Sequence, residues 1–168
     1  SASTTGVLTY RHTSLPQRQL VWFTRDGKQQ DNVGDVGQVG QARIGPDGHS
    51  VLVQRTVDDN ADVWLESPGA APTRLTFEPG ADAAPVWSSD GQRMYYAATR
   101  DNISQVVERP ATGLGAEKVV ITAEQGSAAA PTAVSRDGRW LVLRQGSAGQ
   151  SELAFLSLTD GKTVRFAE

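Results

Sequence analysis

Cysteine is absent from the 168 residues, so disulfides, thiolate nucleophiles and Cys-based zinc sites are excluded at once. Histidine occurs twice, as His12 and His49, each in a polar turn or loop context. A nucleophile needs an activating base beside it, and neither histidine has a Gly-x-Ser-x-Gly elbow nearby. Both read as surface residues, and no catalytic residue and no triad are assigned. Long apolar runs are missing too, with none near the ~18 residues a membrane span requires. The opening Ser1-Ala2-Ser3-Thr4-Thr5 lacks the basic and apolar regions of a signal peptide and lacks an initiator Met, so the chain reads as a mature product or an excised piece. Charge of one sign is not in excess: 16 Lys and Arg, scattered rather than clustered, stand against 19 Asp and Glu, for a net charge of −3. That balance gives no general attraction to nucleic acid or to anionic lipid. Helical periodicity is also missing, since no segment keeps apolar residues at i, i+3, i+4 and i+7 for three turns.

What the sequence does contain is a repeat. Gly45-Pro46-Asp47-Gly48, Ser88-Ser89-Asp90-Gly91 and Ser135-Arg136-Asp137-Gly138 each close a short strand and precede an apolar one. Those apolar strands are Val51-Leu52-Val53, Met94-Tyr95-Tyr96-Ala97 and Trp140-Leu141-Val142-Leu143. Asp-Gly between two apolar runs marks a hairpin, because tight turns demand positive φ. A second hairpin follows each first one: Asp62–Leu65 with Thr73–Thr76, Gln105–Glu108 with Lys118–Ile121, and Leu153–Leu156 with Thr163–Phe166. The same second hairpin opens at Gln19-Leu20-Val21-Trp22-Phe23, preceded by Gly6–Tyr10 and Ser1–Ser3 as pieces of two earlier strands. Four strands recurring at about 40–45 residues is the pattern of a propeller blade. The expected fold is therefore all-β: a single β-propeller domain of four-stranded antiparallel blades, four in this chain, at about 1–34, 35–77, 78–122 and 123–168. Apolar residues at successive positions, as in Val51-Leu52-Val53, predict strands buried on both faces, which blades stacked between blades supply. An immunoglobulin-like sandwich would show alternation and no such repeat.

The residues Pro85-Val86-Trp87-Ser88-Ser89-Asp90-Gly91, the strand Asp62-Val63-Trp64-Leu65 and the stretch Arg74-Leu75-Thr76-Phe77 running into Pro85 resemble TolB-like β-propeller repeats, which are relatives of WD repeats. The opening Gln19–Lys28 resembles propellers attached behind the kinase domain and membrane span of bacterial serine/threonine kinases. Departures are Ile44-Gly45-Pro46, where Leu/Trp-Ser-Pro is usual, and Gln105–Glu108, which lacks the Trp. The resemblance implies a ring of six or more blades. Four blades would leave edge faces exposed, which association would cover. The expected partner is thus a second copy, two four-blade halves forming an eight-bladed ring, with a protein or peptide ligand as a further partner. Neither nucleic acid nor membrane contact is expected of this segment. An extracytoplasmic location follows if it belongs to a membrane-anchored kinase.

Propeller ligands meet the loops at one end of the channel, here Gly34–Gln41, Phe77–Ala84, Arg100–Asn102 and Glu124–Ala130. Asp35, Glu78, Asp82, Arg100, Asp101 and Glu124 are the candidate rim residues. Asp58, Asn60 and Asp62 alternate as calcium oxygens could. Yet Val63 and Gly69 stand where an EF-hand needs Gly and Glu, and a turn reading competes. No other metal and no cofactor are expected, because the close glycines of Gly34–Gly40 and Gly113–Gly115 lack Gly-Lys-Ser/Thr and a following helix. Trp22, Trp64, Trp87 and Trp140 read as core, and Asn102-Ile103-Ser104 reads as a turn rather than a glycan acceptor. The expected role is a non-catalytic scaffold for protein interaction or ligand sensing. An accessory propeller of a peptidase or other hydrolase is the alternative.

Overall fold

The computed structural model describes residues 16–147 and 149–165. They form three antiparallel meanders and, among the described residues, no helix. The first sheet orders β1 (Arg18–Phe23), β2 (Gln29–Ile44), β3 (Val51–Val57), β4 (Asn60–Glu66) and β5 (Thr73–Arg74) side by side. The second contains β6 (Asp82–Trp87), β7 (Arg93–Arg100), β8 (Ile103–Pro110) and β9 (Lys118–Thr122). The third contains β10 (Ala128–Val134), β11 (Trp140–Gly146), β12 (Glu152–Ser157) and β13 (Thr163–Arg165).

Where the sequence predicts four separate sheets, the described residues give three. The strands expected at Ser1–Ser3 and Gly6–Tyr10 lie outside them. The predicted first unit contributes β1 and the start of β2, and these are continuous with the next sheet. β2 runs unbroken from Gln29 to Ile44; its first half pairs with β1 and its second half with β3. The loop expected at Gly34–Gln41 is therefore strand. Its glycines have a packing reason. A first side-chain carbon on Gly34 would lie 2.1 Å from Glu66 Oε2, one on Gly37 2.6 Å from Arg55 Nη1, and one on Gly40 2.9 Å from Gln54 Cδ. Long polar side chains of β3 and β4 thus lie directly on the β2 backbone, and only glycine leaves them room.

The Asp-Gly hairpins at Asp47, Asp90 and Asp137 close the same way. The amides of Gly48, Gly91 and Gly138 donate to the carbonyls of Gly45, Ser88 and Ser135, and each glycine sits near φ +70° (71°, 72° and 70°). In each turn the aspartate carboxylate accepts the amide two residues on, from His49, Gln92 or Arg139. The turns that link each first hairpin to the second, β3 to β4 and β7 to β8, differ. Asp58-Asp59 and Asp101-Asn102 both hold positive φ at two consecutive residues, as a two-residue hairpin loop requires. Asp and Asn tolerate that conformation better than other side-chain-bearing residues do.

Burial on both faces is what joins the sheets. On β7, Met94, Tyr96 and Ala98 pack with Leu52, Val63, Leu75 and Val107 toward the first sheet. Tyr95 between them packs with Val106, Leu141, Leu143, Ala154 and Leu156 toward the third. On β3, Val51 and Val53 turn the other way from Leu52, into a third cluster with Val33, Val39, Leu20 and Trp22. The β1–β2 hairpin therefore covers the outer side of β3. Polar ties also cross between sheets, among them two from side chains. Trp87 Nε1 donates to the Arg43 carbonyl at 2.9 Å, and Ser104 Oγ accepts from the Ala129 amide at 3.0 Å.

Two outcomes follow. Leu143 is fully buried between the second and third sheets and Leu114 is 77% exposed. Leu143→Ala should lower unfolding stability by about 2–5 kcal/mol and Leu114→Ala by less than about 0.5, read from urea midpoints. The Asp137 carboxylate is held down to about 2, first by the Ser135 hydroxyl and then by the amide and guanidinium of Arg139. Because the folded value lies below the unfolded one of about 3.9, its contribution is present above that value and is lost as pH falls toward 2. Asp137→Ala should therefore be less stable than wild type at pH 7, and the gap should close across that window.

Candidate functional site

Buried polar networks lie within the first sheet and within the second. In the first sheet, Arg55 on β3 meets Glu66 on β4, with Nη2 at 2.9 Å from Oε1, and its Nη2 also donates to the Asp35 carbonyl at 2.7 Å. Glu66 is fully buried, and burial raises its pKa against the opposing pull of Arg55. In the same sheet the Asp62 carboxylate accepts Arg74 at 2.7 Å, the Thr76 hydroxyl at 3.3 Å and Asn60 Nδ2 at 3.0 Å. Asp58, the first residue of the calcium pattern, sits exposed in the turn at φ 50°. Asp62 is thus occupied by a guanidinium, and among the described residues no group of three or more His, Cys, Asp or Glu side chains is placed to hold a metal ion.

The second network carries two of the predicted rim residues. Arg100, at the end of β7, donates to Asp82 Oδ1 on β6 at 2.8 Å. Its other nitrogen lies 3.9 Å from Glu117, which also receives Arg109 at 3.1 Å and the hydroxyl of Tyr96. Asp82 is fully buried; burial raises its pKa, and the hydrogen bond from Arg100 acts against that. Burial and the Glu117 carboxylate push the Tyr96 phenol upward as well. A carboxylate without water needs its counter-charge, so this pair fixes where β6 starts relative to the end of β7.

The other predicted rim residues are not brought together. Asp35 is exposed on β2, Glu78 is exposed in the connection between β5 and β6, and Asp101 is exposed in its tight turn. Glu124 is exposed in a smaller cleft of about 410 Å³ beside Glu152 and Arg165.

A cleft of about 770 Å³ opens where the β7–β8 turn, the chain entering β10 and the β11–β12 turn meet. It lies beside Asp101 but uses Asn102 instead, together with Thr99, Ser104, Ser127, Arg144, Gln145 and Gln150. Its floor is the Ser104–Ala129 tie, in which Ser104 Oγ also donates to the Ala129 carbonyl at 3.3 Å. Its rim bends at Gly146, where φ is +147° and an added carbon would stand 2.1 Å from the Gln150 carbonyl. The Gln150 amide closes that bend by donating to the Ser147 carbonyl at 3.0 Å. The lining offers hydroxyls, amides and one guanidinium, which suit hydrogen bonding to a polar ligand with negative charge. Sequence reasoning singled out charged residues and missed these neutral ones. The signal that could have found them is the density of Ser, Gln and Gly in Gly126–Ser127 and Gln145–Ser151.

No protein-family model and no curated relative matches the chain. Solved structures do. A TolB-type protein from Agrobacterium tumefaciens is 20% identical with a TM-score of 0.66, over 84% of this chain and 50% of that one. TolB from Acinetobacter baumannii is 16% identical with a TM-score of 0.69, over 89% of this chain and 37% of that one. Prolyl oligopeptidase B from Galerina marginata is 14% identical with a TM-score of 0.56, over 76% of this chain and 21% of that one. The chain therefore spans half or less of the length of these structures. Their likeness establishes the fold as that of TolB-like β-propellers, with a peptidase among the proteins that share it.

The Arg100–Asp82 pair yields a directional outcome. Arg100→Met leaves Asp82 buried without its counter-charge and should cost about 3–5 kcal/mol at pH 7. With Arg100 gone, the folded-state pKa of Asp82 rises further above the unfolded value, so acid favours the folded state and the loss should shrink as pH falls toward 4. Asp82→Asn combined with Arg100→Met should cost less than Arg100→Met alone at neutral pH, measured by denaturant titration at both pH values.

Proposed function

We propose that the chain is part of a TolB-like propeller that works as a non-catalytic scaffold for protein interaction or ligand sensing, built on four units of the repeat. The observation that carries this reading is the cleft at the mouth between the second and third sheets. Hydroxyls, amides and Arg144 line it, and neither a carboxylate nor an imidazole is among the lining residues. Such groups recognise a ligand through directed hydrogen bonds. General acid–base work would call for a titratable side chain within hydrogen-bond reach of the substrate. The fold alone assigns no activity, and it is the cleft that supports this reading. The ligand this lining fits is a peptide or protein segment that offers backbone amides and carbonyls plus a carboxylate for Arg144. An extracytoplasmic position goes with this reading where such a propeller is the sensor end of a membrane-anchored kinase.

A second reading, an accessory propeller that gates a hydrolase, is favoured by the prolyl oligopeptidase likeness. In that case the cleft would face a catalytic domain and would not hold a free ligand.

The scaffold reading is checked by equilibrium capture of a random peptide library on the immobilised chain. Wild type should retain a sequence-restricted set with carboxylates enriched. Arg144→Glu, at an exposed position, should lose that set while keeping the wild-type unfolding midpoint. Equal capture by both proteins, or capture with no sequence preference, would refute the assignment of the cleft.

A further inference from the structure

Among the described residues, the packing rule that joins the three sheets is broken at both ends of the stack. On the third sheet, Leu141, Leu143, Ala154 and Leu156 point into the core shared with the second sheet. By strand alternation Val142 and Phe155 then point to the opposite face. The register aligns Ala133, Val142, Phe155 and Val164 in one row across all four strands. Leu153 stands next to that row, opposite Arg144. Val164 is 53% exposed and Leu153 47% exposed. In the second sheet the corresponding outward face, with Tyr95 and Val106, is fully covered by the sheet that follows.

At the other end, Leu20 and Trp22 of β1 pack inward on Val33, Val51 and Val53. Val21 and Phe23 alternate to the outer side, where Phe23 is 55% exposed. The stack therefore carries an apolar leading face and an apolar trailing face, and the two are different surfaces.

We infer that these faces meet each other between two copies of this chain, the trailing face of each (Val142, Leu153, Val164) docking on the leading face of its partner (Val21, Phe23). The apolar packing between sheets among the described residues is of this kind, the outward side of one sheet on the inward side of the next. A head-to-tail contact between copies continues that interface rather than inventing a new one. Two such contacts related by a twofold axis close a ring and leave no apolar face over. This inference rests on the propeller reading and does not need a ligand in the cleft, although Arg144, which lines the cleft, stands opposite Leu153 at the edge of the trailing face.

The test is light scattering behind a sizing column at the highest soluble concentration. Wild type should run at twice 17.9 kDa. Val164→Lys and Phe23→Glu, both at exposed positions, should each raise the dissociation constant roughly tenfold or more with unchanged circular dichroism. Mixed in equal amounts, the two variants should recover a dimer, because one of its two contacts is then wild type at both faces and the other pairs Lys with Glu. Leu153→Lys replaces Val164→Lys if the latter fails to fold. A wild-type mass of one chain overturns the inference, as does a mass above two. If Val164→Lys dissociates the dimer and Phe23→Glu does not, the trailing faces meet each other, and the head-to-tail contact is wrong.

Discussion

Strands that bury both of their sides constrain this molecule more than any single bond does. A strand such as β7, with Met94, Tyr96 and Ala98 to one side and Tyr95 to the other, has no solvent side to turn outward. Each sheet needs a neighbour before and a neighbour after, and no sheet in the chain can be stable alone. The inter-sheet hydrogen bonds from Trp87 and Ser104 then act as register pins on an association that apolar burial already drives. The glycines of β2 serve the same end, since they let Glu66, Arg55 and Gln54 press on the backbone of a strand shared between two units.

The charged groups follow from this packing. Stacked sheets leave little water between them, so a carboxylate in a seam must bring its own cation. Glu66 has Arg55, Asp62 has Arg74, and Asp82 has Arg100. In each of the first two pairs both partners lie within the same unit, on strands adjacent in the meander. The third likewise joins adjacent strands, β6 and β7, at the point where the chain has just arrived from the first sheet.

The hairpins and the double-sided strands were legible because both are local. Asp-Gly fixes a turn within four residues, and Val51-Leu52-Val53 or Leu141-Val142-Leu143 reveals its environment in three. The Gly34–Gln41 strand was not legible, because the reason for its glycines lies on β3 and β4, up to 32 residues away in the case of Gly34 and Glu66. Arg100 and Asp82 were each identifiable as residues near a rim, but nothing local shows that they neutralise one another. Glu117, which gathers Arg109 and Tyr96, carried no sequence signal at all. The cleft was missed for a similar reason. Serine and glutamine in loops have an ordinary composition, and only the meeting of three separated loops makes them a lining.

The repeated turn geometry bears on how the protein ages. Aspartate followed by glycine is the dipeptide most prone to cyclise, the glycine nitrogen attacking the aspartate carboxyl to give a succinimide and then isoaspartate. In the turns at Asp47, Asp90 and Asp137 the glycine nitrogen is engaged with a carbonyl three residues back. The carboxylate, meanwhile, is held by amides farther along the chain. Attack would require both sets of hydrogen bonds to break together. The sequence feature that makes the blades foldable is therefore also its main chemical weakness, and folding is what shields it. Damage at these three aspartates would accumulate in chains that have opened, so their isomer content would record how long each molecule has spent unfolded.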